Sequence, residues 1–191
     1  MFPAFKEWHL IIEALCAGDQ SIILRKGGIS ENPGGFDPVA ARRFWLFPTH
    51  FHAQREKTKP SAAHRFPPAF DSSADASFVT LRAFAEVTRH AFLDHWPAIA
   101  ALDAYHAWTE AAVREKFDWN QPPGLHFFIV RVHLLDTPLR LPLNPSMGGC
   151  TSWIQIPPDF TTLTAKPVLS DARFTALEST LSRHANRQPP A

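Results

Sequence analysis

Cysteine is scarce in this chain: only Cys16 and Cys150 occur among 191 residues. Two distant cysteines cannot build the four-ligand shell of a structural zinc site, and no His-x-x-x-His spacing takes their place. They could in principle bridge one another, but a cytoplasmic chain would keep both as reduced thiols. Charge of one sign is lacking as well. The 19 Lys/Arg and 18 Asp/Glu leave a formal charge of +1, which excludes a polycation that coats nucleic acid or membrane by bulk electrostatics. Long apolar runs are missing too: nothing approaches the roughly 18 residues of a membrane span. The start, Met1 to Phe5 followed by Lys6 and Glu7, has no basic head before an apolar core. The expectation is a cytoplasmic protein with no membrane partner.

Common enzyme signatures are equally absent. There is no Gly-x-Gly-x-x-Gly, no Walker-type Gly-Lys-Ser/Thr, no Gly-x-Ser-x-Gly and no His-x-Glu with paired cysteines. Asp136 and Glu178 are available carboxylates, but no Glu-x-Lys follows an Asp as a metal-dependent nuclease centre would require. No cofactor and no metal are expected.

What is present reads as a globular chain: 45% hydrophobic and 19% charged residues, with 18 prolines. Its length suits a single α+β domain over 1–191. Phe5, Trp8, Ile12 and Leu15 recur at helical spacing and predict a first amphipathic helix, stopped at Gly18. Residues 21–25 and 44–47 read as strands. The Pro/Ala/Ser-rich stretch 57–77, with Pro60, Pro67 and Pro68, reads as a loop. Phe78, Leu81, Ala85, Thr88 and Phe92 share a helical face, so two helices over about 76–95 and 97–117 are expected as a helical insert at 78–118. Strands at 126–135 and 152–156 and a last helix capped by Ser170 complete the order α, β, β, αα, β, β, α. Without βαβ alternation, the sheet should be small, mixed and mostly antiparallel.

Charge is unevenly spread. Residues 1–70 carry nine basic and six acidic side chains, 71–120 four and eight, and 121–191 six and four. An acidic insert thus stands between basic strand-bearing flanks, which could fold into one phosphate-binding face. Scattered solubilising charge is the plainer reading of the same counts.

Three motifs carry candidate chemistry. Arg25-Lys26-Gly27-Gly28 ends a strand with two cations before two glycines, an arrangement that lets a backbone approach an anion while a guanidinium forks onto it. It is also how an ordinary strand enters a tight turn. Thr49-His50-Phe51-His52 places two imidazoles two residues apart beyond a strand. Gly149-Cys150-Thr151-Ser152-Trp153 sets a thiol behind paired glycines, where it could be a nucleophile or merely a small buried side chain. Lys6 and Glu7 on the first helix are within reach of the same area, with exposed helix charge as the default.

The stretches Ala4-Phe5-Lys6-Glu7-Trp8, Glu13-Ala14-Leu15, Leu24-Arg25-Lys26-Gly27-Gly28-Ile29, Phe47-Pro48-Thr49 with His52, and Gly149-Cys150 with Ser152-Trp153 resemble, in order, the bacterial family called domain of unknown function 1802. That resemblance implies no assigned activity. Members noted beside restriction-endonuclease-like domains imply a link to restriction or modification and a restriction-endonuclease-like partner. A second pattern, Gly18-x-Gln20-x-x-x-Leu24-Arg25 after a first helix, is similar to the opening of the PUA-like superfamily, whose ASCH and EVE branches hold RNA or modified bases on a curved sheet. Leu24 stands where that pattern has a glutamate, and the insertion between strands is larger than it expects.

These readings converge on a nucleic-acid-binding accessory protein for DNA or RNA. Lys6, Arg25, Lys26, Gly27, Gly28, Thr49, His52, Ser152 and Trp153 are its candidate binding residues. Arg25 and Lys26 would meet phosphate, Trp45 and Trp153 would stack on a base, and His52 and Ser152 would bond its edge. Two alternatives are a small enzyme using Cys150, His52 or Glu7 near Lys6 and Arg25, and a structural partner in a larger assembly.

Overall fold

A computed structural model describes residues 1–26, 42–50, 53–63, 77–149 and 151–185. Its strands are β1 (Phe2–Trp8), β2 (Ile22–Arg25), β3 (Arg43–Thr49), β4 (Phe78–Leu93), β5 (Leu125–Pro142), β6 (Trp153–Ile156) and β7 (Ala165–Pro167). The helices are α1 (His9–Ala17), α2 (Pro60–Ala63), α3 (Trp96–Ala100), α4 (Glu110–Asp118) and α5 (Asp171–Ala185). The strands run in the order β2-β5-β4-β3-β1-β6, with β7 added beside β5. Among the described residues, the β1–β3 pair is parallel and every other strand pairing is antiparallel. The expected mixed, mostly antiparallel α+β fold with a C-terminal helix is the observed one.

Two expected helices are corrected. The 3-4-3 spacing from Phe5 to Leu15 spans a strand-to-helix boundary: β1 runs to Trp8, and α1 starts only at His9. In β1, alternate side chains serve opposite faces, Ala4 facing one hydrophobic cluster and Phe5 the other. Residues 78–93 are not helical either. They form a central strand paired with β3 on one side and β5 on the other. Val79, Leu81, Ala83, Ala85 and Val87 are all buried, a period of two that the helical spacing of Leu81, Ala85 and Phe92 had masked. The acidic 78–118 insert is therefore a long strand followed by short helices. Within the expected loop, Pro60 opens the single turn of α2, where a first helical position tolerates proline. Residues 64–76 lie outside the described residues.

Other elements form as the sequence predicts. Gly18 terminates α1 at φ 76°, donating to the Leu15 carbonyl at 3.2 Å, and a Cβ there would meet Leu169 at 2.9 Å. The α5 start is held by Ser170, whose carbonyl accepts from the Phe174 amide at 2.9 Å. On that helix Phe174 and Leu181 turn inward.

The sheet curls until the two ends of its strand path approach one another. Arg25 of β2 lies 5.4 Å from the ring centre of Phe5 on β1, and Phe5 in turn packs on Trp153 of β6 at 4.9 Å. Ile23, Phe44 and Phe128 close the same apolar knot. Helices α1, α3, α4 and α5 pack on this concave side, and the segment around Phe160 covers Trp45 and Phe84 on the other. With both faces buried, β3 is one continuous apolar run, Phe44-Trp45-Leu46-Phe47. At the rim of the curl, the ends of β1, β2 and β3 open beside α4.

Candidate functional site

That rim holds a cleft of about 680 Å³, a size that suits a nucleotide-sized ligand. Lys6, Glu7 and Trp8 come from the end of β1, Arg25 and Lys26 from the end of β2, Thr49 and His50 from the end of β3, and Lys116 from α4. Gly149, Thr151 and Ser152 form the remaining wall. The convergence follows from topology: β1 and β3 are parallel neighbours, so both release their last residues at the same edge.

The walls are predominantly positive. Lys6, Arg25, Lys26 and Lys116 face Glu7, the one carboxylate among the described lining residues. Lys6 is also a brace, its Nζ donating to the carbonyls of Gly148 at 3.2 Å and Gly149 at 2.8 Å. Arg25 is buried, with its guanidinium over Phe5. Lys26 donates to the carbonyls of Phe117 at 3.0 Å and Pro122 at 2.8 Å, tying β2 to the end of α4. Burial there lowers its pKa, while nearby Asp118 opposes the shift.

Glu7 is buried and accepts the Trp8 amide at 2.8 Å, just before α1 begins. A carboxylate at that place also meets the positive end of the helix. The Glu7 carbonyl accepts the Thr49 hydroxyl at 2.9 Å, which fixes the β1 and β3 ends together. The Ser152 carbonyl accepts the Lys6 amide at 2.8 Å and so ties the opposite wall to β1.

Lys116 is the residue that the sequence reading overlooked. Its ammonium stands 4.8 Å from the Trp8 ring centre and 4.4 Å from that of Trp108, sandwiched by cation–π contacts. Burial lowers its pKa most, Glu7 pulls the other way, and Arg25 adds to the lowering. A cation held this way costs less to present to an incoming anion than one wrapped in water. Local sequence carries no signal for it: Lys116 lies at the end of the helix expected over 97–117, and the rings that hold it come from β1 and from the turn before α4.

Of the expected contacts, the structure brings Lys6, Glu7, Arg25, Lys26, Thr49 and Ser152 to this cleft. Gly27, Gly28, His52 and Cys150 lie outside the described residues. Of the two tryptophans chosen for stacking, Trp45 is corrected, and Trp153 is half-buried. Trp45 is fully buried on the far side of the sheet, its Nε1 donating to the Pro158 carbonyl at 2.9 Å. Trp153 packs between Phe5 and Phe44 as part of the apolar knot. Among the described residues, Trp8 is the tryptophan that lines the cleft instead, beside Phe5.

A second network adjoins the same region. Glu13 of α1 is buried and forms a two-oxygen pair with the Arg82 guanidinium, while His9 lies 3.5 Å from the carboxylate. Burial pushes the Glu13 pKa up, but the His9 and Arg82 contacts outweigh it and hold the carboxyl below its usual range. The His9 ring meets that of cleft-lining His50 edge-on at 4.8 Å. Cys16, a free thiol one helical turn from Glu13, is pushed up to about 12, mainly by burial. At that value it is no nucleophile at neutral pH.

Among the described residues, no cluster of three or more His, Cys, Asp or Glu could hold a metal ion, and no helix is long and apolar enough to cross a membrane. No curated protein matches the chain. Solved structures that it is similar to are those of ASCH from Zymomonas mobilis, at 14% identity and a TM-score of 0.41, with 93% of each chain covered. A mutant form of the same protein aligns at 15% identity and a TM-score of 0.42, covering 93% of this chain and 94% of that one. The family described as Domain of unknown function (DUF1802) matches residues 4–180, nearly the whole of the sequence, and the chain belongs to that family.

Proposed function

We propose that the cleft binds one nucleotide unit of a nucleic acid, with its phosphate held by Arg25 and Lys116. The observation that carries this reading is the charge of the walls: four cations to one carboxylate in a space of nucleotide size, with Trp8 alongside. Arg25 supplies the forked guanidinium suited to phosphate, and Lys116 supplies a point charge positioned by two aromatic rings. Lys26 contributes positive potential, but two of its three donors already serve backbone carbonyls. The Thr49 hydroxyl and the wall at Ser152 offer neutral polar groups for a sugar or base edge. The comparisons lend nothing to a restriction-endonuclease-like partner, and the proposal concerns the ligand alone.

The test is binding of fluorescently labelled RNA and DNA across a salt series. Each phosphate contact on a single strand contributes about −0.7 to the slope of log affinity against log salt, so Arg25→Gln with Lys116→Gln should flatten the slope by about 1.4. Far-ultraviolet circular dichroism of the variant checks that it folds. Absence of salt-dependent binding by the wild-type protein, or an unchanged slope in a folded variant, would overturn the proposal.

A second reading is favoured by one feature, the buried Glu7 beside a lysine whose pKa is lowered. Such a pair can move a proton on a bound ligand. Lys116→Arg separates the two readings: it retains the charge for binding but cannot titrate in the working range, so a chemical change of bound RNA or DNA, followed by mass spectrometry, would vanish while affinity stays.

A further inference from the structure

We infer that the site is longer than one nucleotide: a side chamber ending at Trp119 stacks the base of the neighbouring nucleotide, so the ligand is a single strand. This rests on the reading of the cleft as a nucleotide site. The chamber has a volume of about 210 Å³ and shares Trp8, Lys26 and Lys116 with the cleft, so the two spaces adjoin across those side chains. Lys57 and Ala112 add to its wall, and Glu115, paired with Lys57, is its carboxylate. Its charge is therefore positive, like that of the cleft.

Trp119 is 63% exposed, whereas Trp45 and Trp108 are wholly buried. The Trp119 indole is thus presented to solvent at the mouth of a basic chamber. The backbone that carries it is anchored. The Trp119 amide donates to the Glu115 carbonyl at 3.0 Å as α4 ends, Asn120 then turns the chain at φ 57°, and the Gly124 amide returns to the Phe117 carbonyl at 3.1 Å. Lys26 clamps the same loop through Phe117 and Pro122. An exposed ring carried on a braced backbone next to cations is a stacking platform for a base, and little backbone entropy is lost on binding. A duplex could not use it, because paired bases present edges and keep their faces stacked on one another.

The experiment compares wild-type protein, Trp119→Ala and Trp119→Phe against a mononucleotide and against mixed-sequence single strands of about ten nucleotides, as RNA and as DNA. Fluorescence anisotropy reads the oligomers and equilibrium dialysis the mononucleotide. The wild type should hold the oligomer more tightly than the mononucleotide. Trp119→Ala should weaken the oligomer about 5- to 150-fold with the mononucleotide unchanged, and Trp119→Phe should recover most of the loss. Equal oligomer affinity in wild type and Trp119→Ala overturns the inference, as does an equal loss for both ligands or tighter binding of duplex than of single strand. If the wild type holds neither ligand, the reading of the cleft itself falls, an outcome distinct from all of these.

Discussion

Glu7 and Glu13 lie six residues apart, are exposed to the same small degree, 7% and 8%, and meet opposite surroundings. Glu13 sits on the buried face of α1, where Arg82 reaches both its oxygens from β4 and His9 completes the shell. That charge is matched where it stands. Glu7 sits at the mouth of the curl, where four cations line one space and it is the one carboxylate among the described lining residues. Burying a charge is costly unless it is compensated, so a matched set is consistent with architecture, whereas a surplus of one sign in a cleft is an electrostatic cost that a ligand of the other sign relieves. The comparison sets a carboxylate paired within the fold against one placed among the cations of a cleft.

The largest expected effect tests the matched half. Glu13→Ala strips Arg82 of its partner, and because the arginine is partly exposed and can rehydrate, the loss should fall at about 2 to 3 kcal/mol, below the figure for a wholly buried pair. Urea unfolding measures it, and a loss under about 0.5 kcal/mol would show that the pair is not structural. The pH dependence has a definite sign. The Glu13 pKa is lowered by folding, so its stabilisation is present above the ordinary carboxylate range and is lost as pH falls through the folded value.

Next in size is a group with no ligand role assigned. His106 is buried and its pKa is lowered to about 4, first by burial and then by Lys59, whose Nζ donates to the His106 carbonyl at 3.0 Å. The imidazole is therefore neutral in the native protein and must charge in acid. Its contribution is complete above the unfolded value of 6.5 and falls away towards the folded value of about 4, with on the order of 2 kcal/mol gone by about pH 5. Urea midpoints of wild type and His106→Gln across that window should converge as pH falls. Parallel curves would mean that another group sets the acid limit.

How much of this was legible in the sequence depends on whether neighbours in the chain or neighbours across the sheet decide an element. The β2 and β6 strands, the Gly18 stop and the Ser170 start depend on local chemistry, and each stands where the residues predicted it. The 78–93 segment does not. Its alanines and its Leu81-Ala85-Phe92 spacing favour a helix, and only pairing with β3 and β5 on both edges resolves the ambiguity. The site shows the same division. Arg25 and Lys26 announce themselves beside glycines, and the structure does bring them to Lys6, Glu7, Thr49 and Ser152. Lys116 was hidden because it lies in the acidic segment, and a segment count cannot show that one lysine of that segment turns towards the basic flanks. Trp45 misled for a related reason: a tryptophan on a strand reads the same from sequence whether its face meets solvent or a second hydrophobic layer, and here it meets Phe84 and Phe160.

The smallest effect is the sharpest test of the division, because it concerns a cation inside the cleft that is already committed. Lys26 lines the same walls as Arg25 and Lys116, yet its ammonium holds the Phe117 and Pro122 carbonyls at the end of α4. If matched groups serve the fold, Lys26→Met should cost about 1 kcal/mol of stability and leave the salt slope of nucleic-acid binding almost intact. Methionine keeps much of the aliphatic stem, so the loss reports the ammonium. The opposite pattern, unchanged stability with a slope flattened by about 0.7, would place Lys26 with the ligand-binding cations and dissolve the distinction within the cleft.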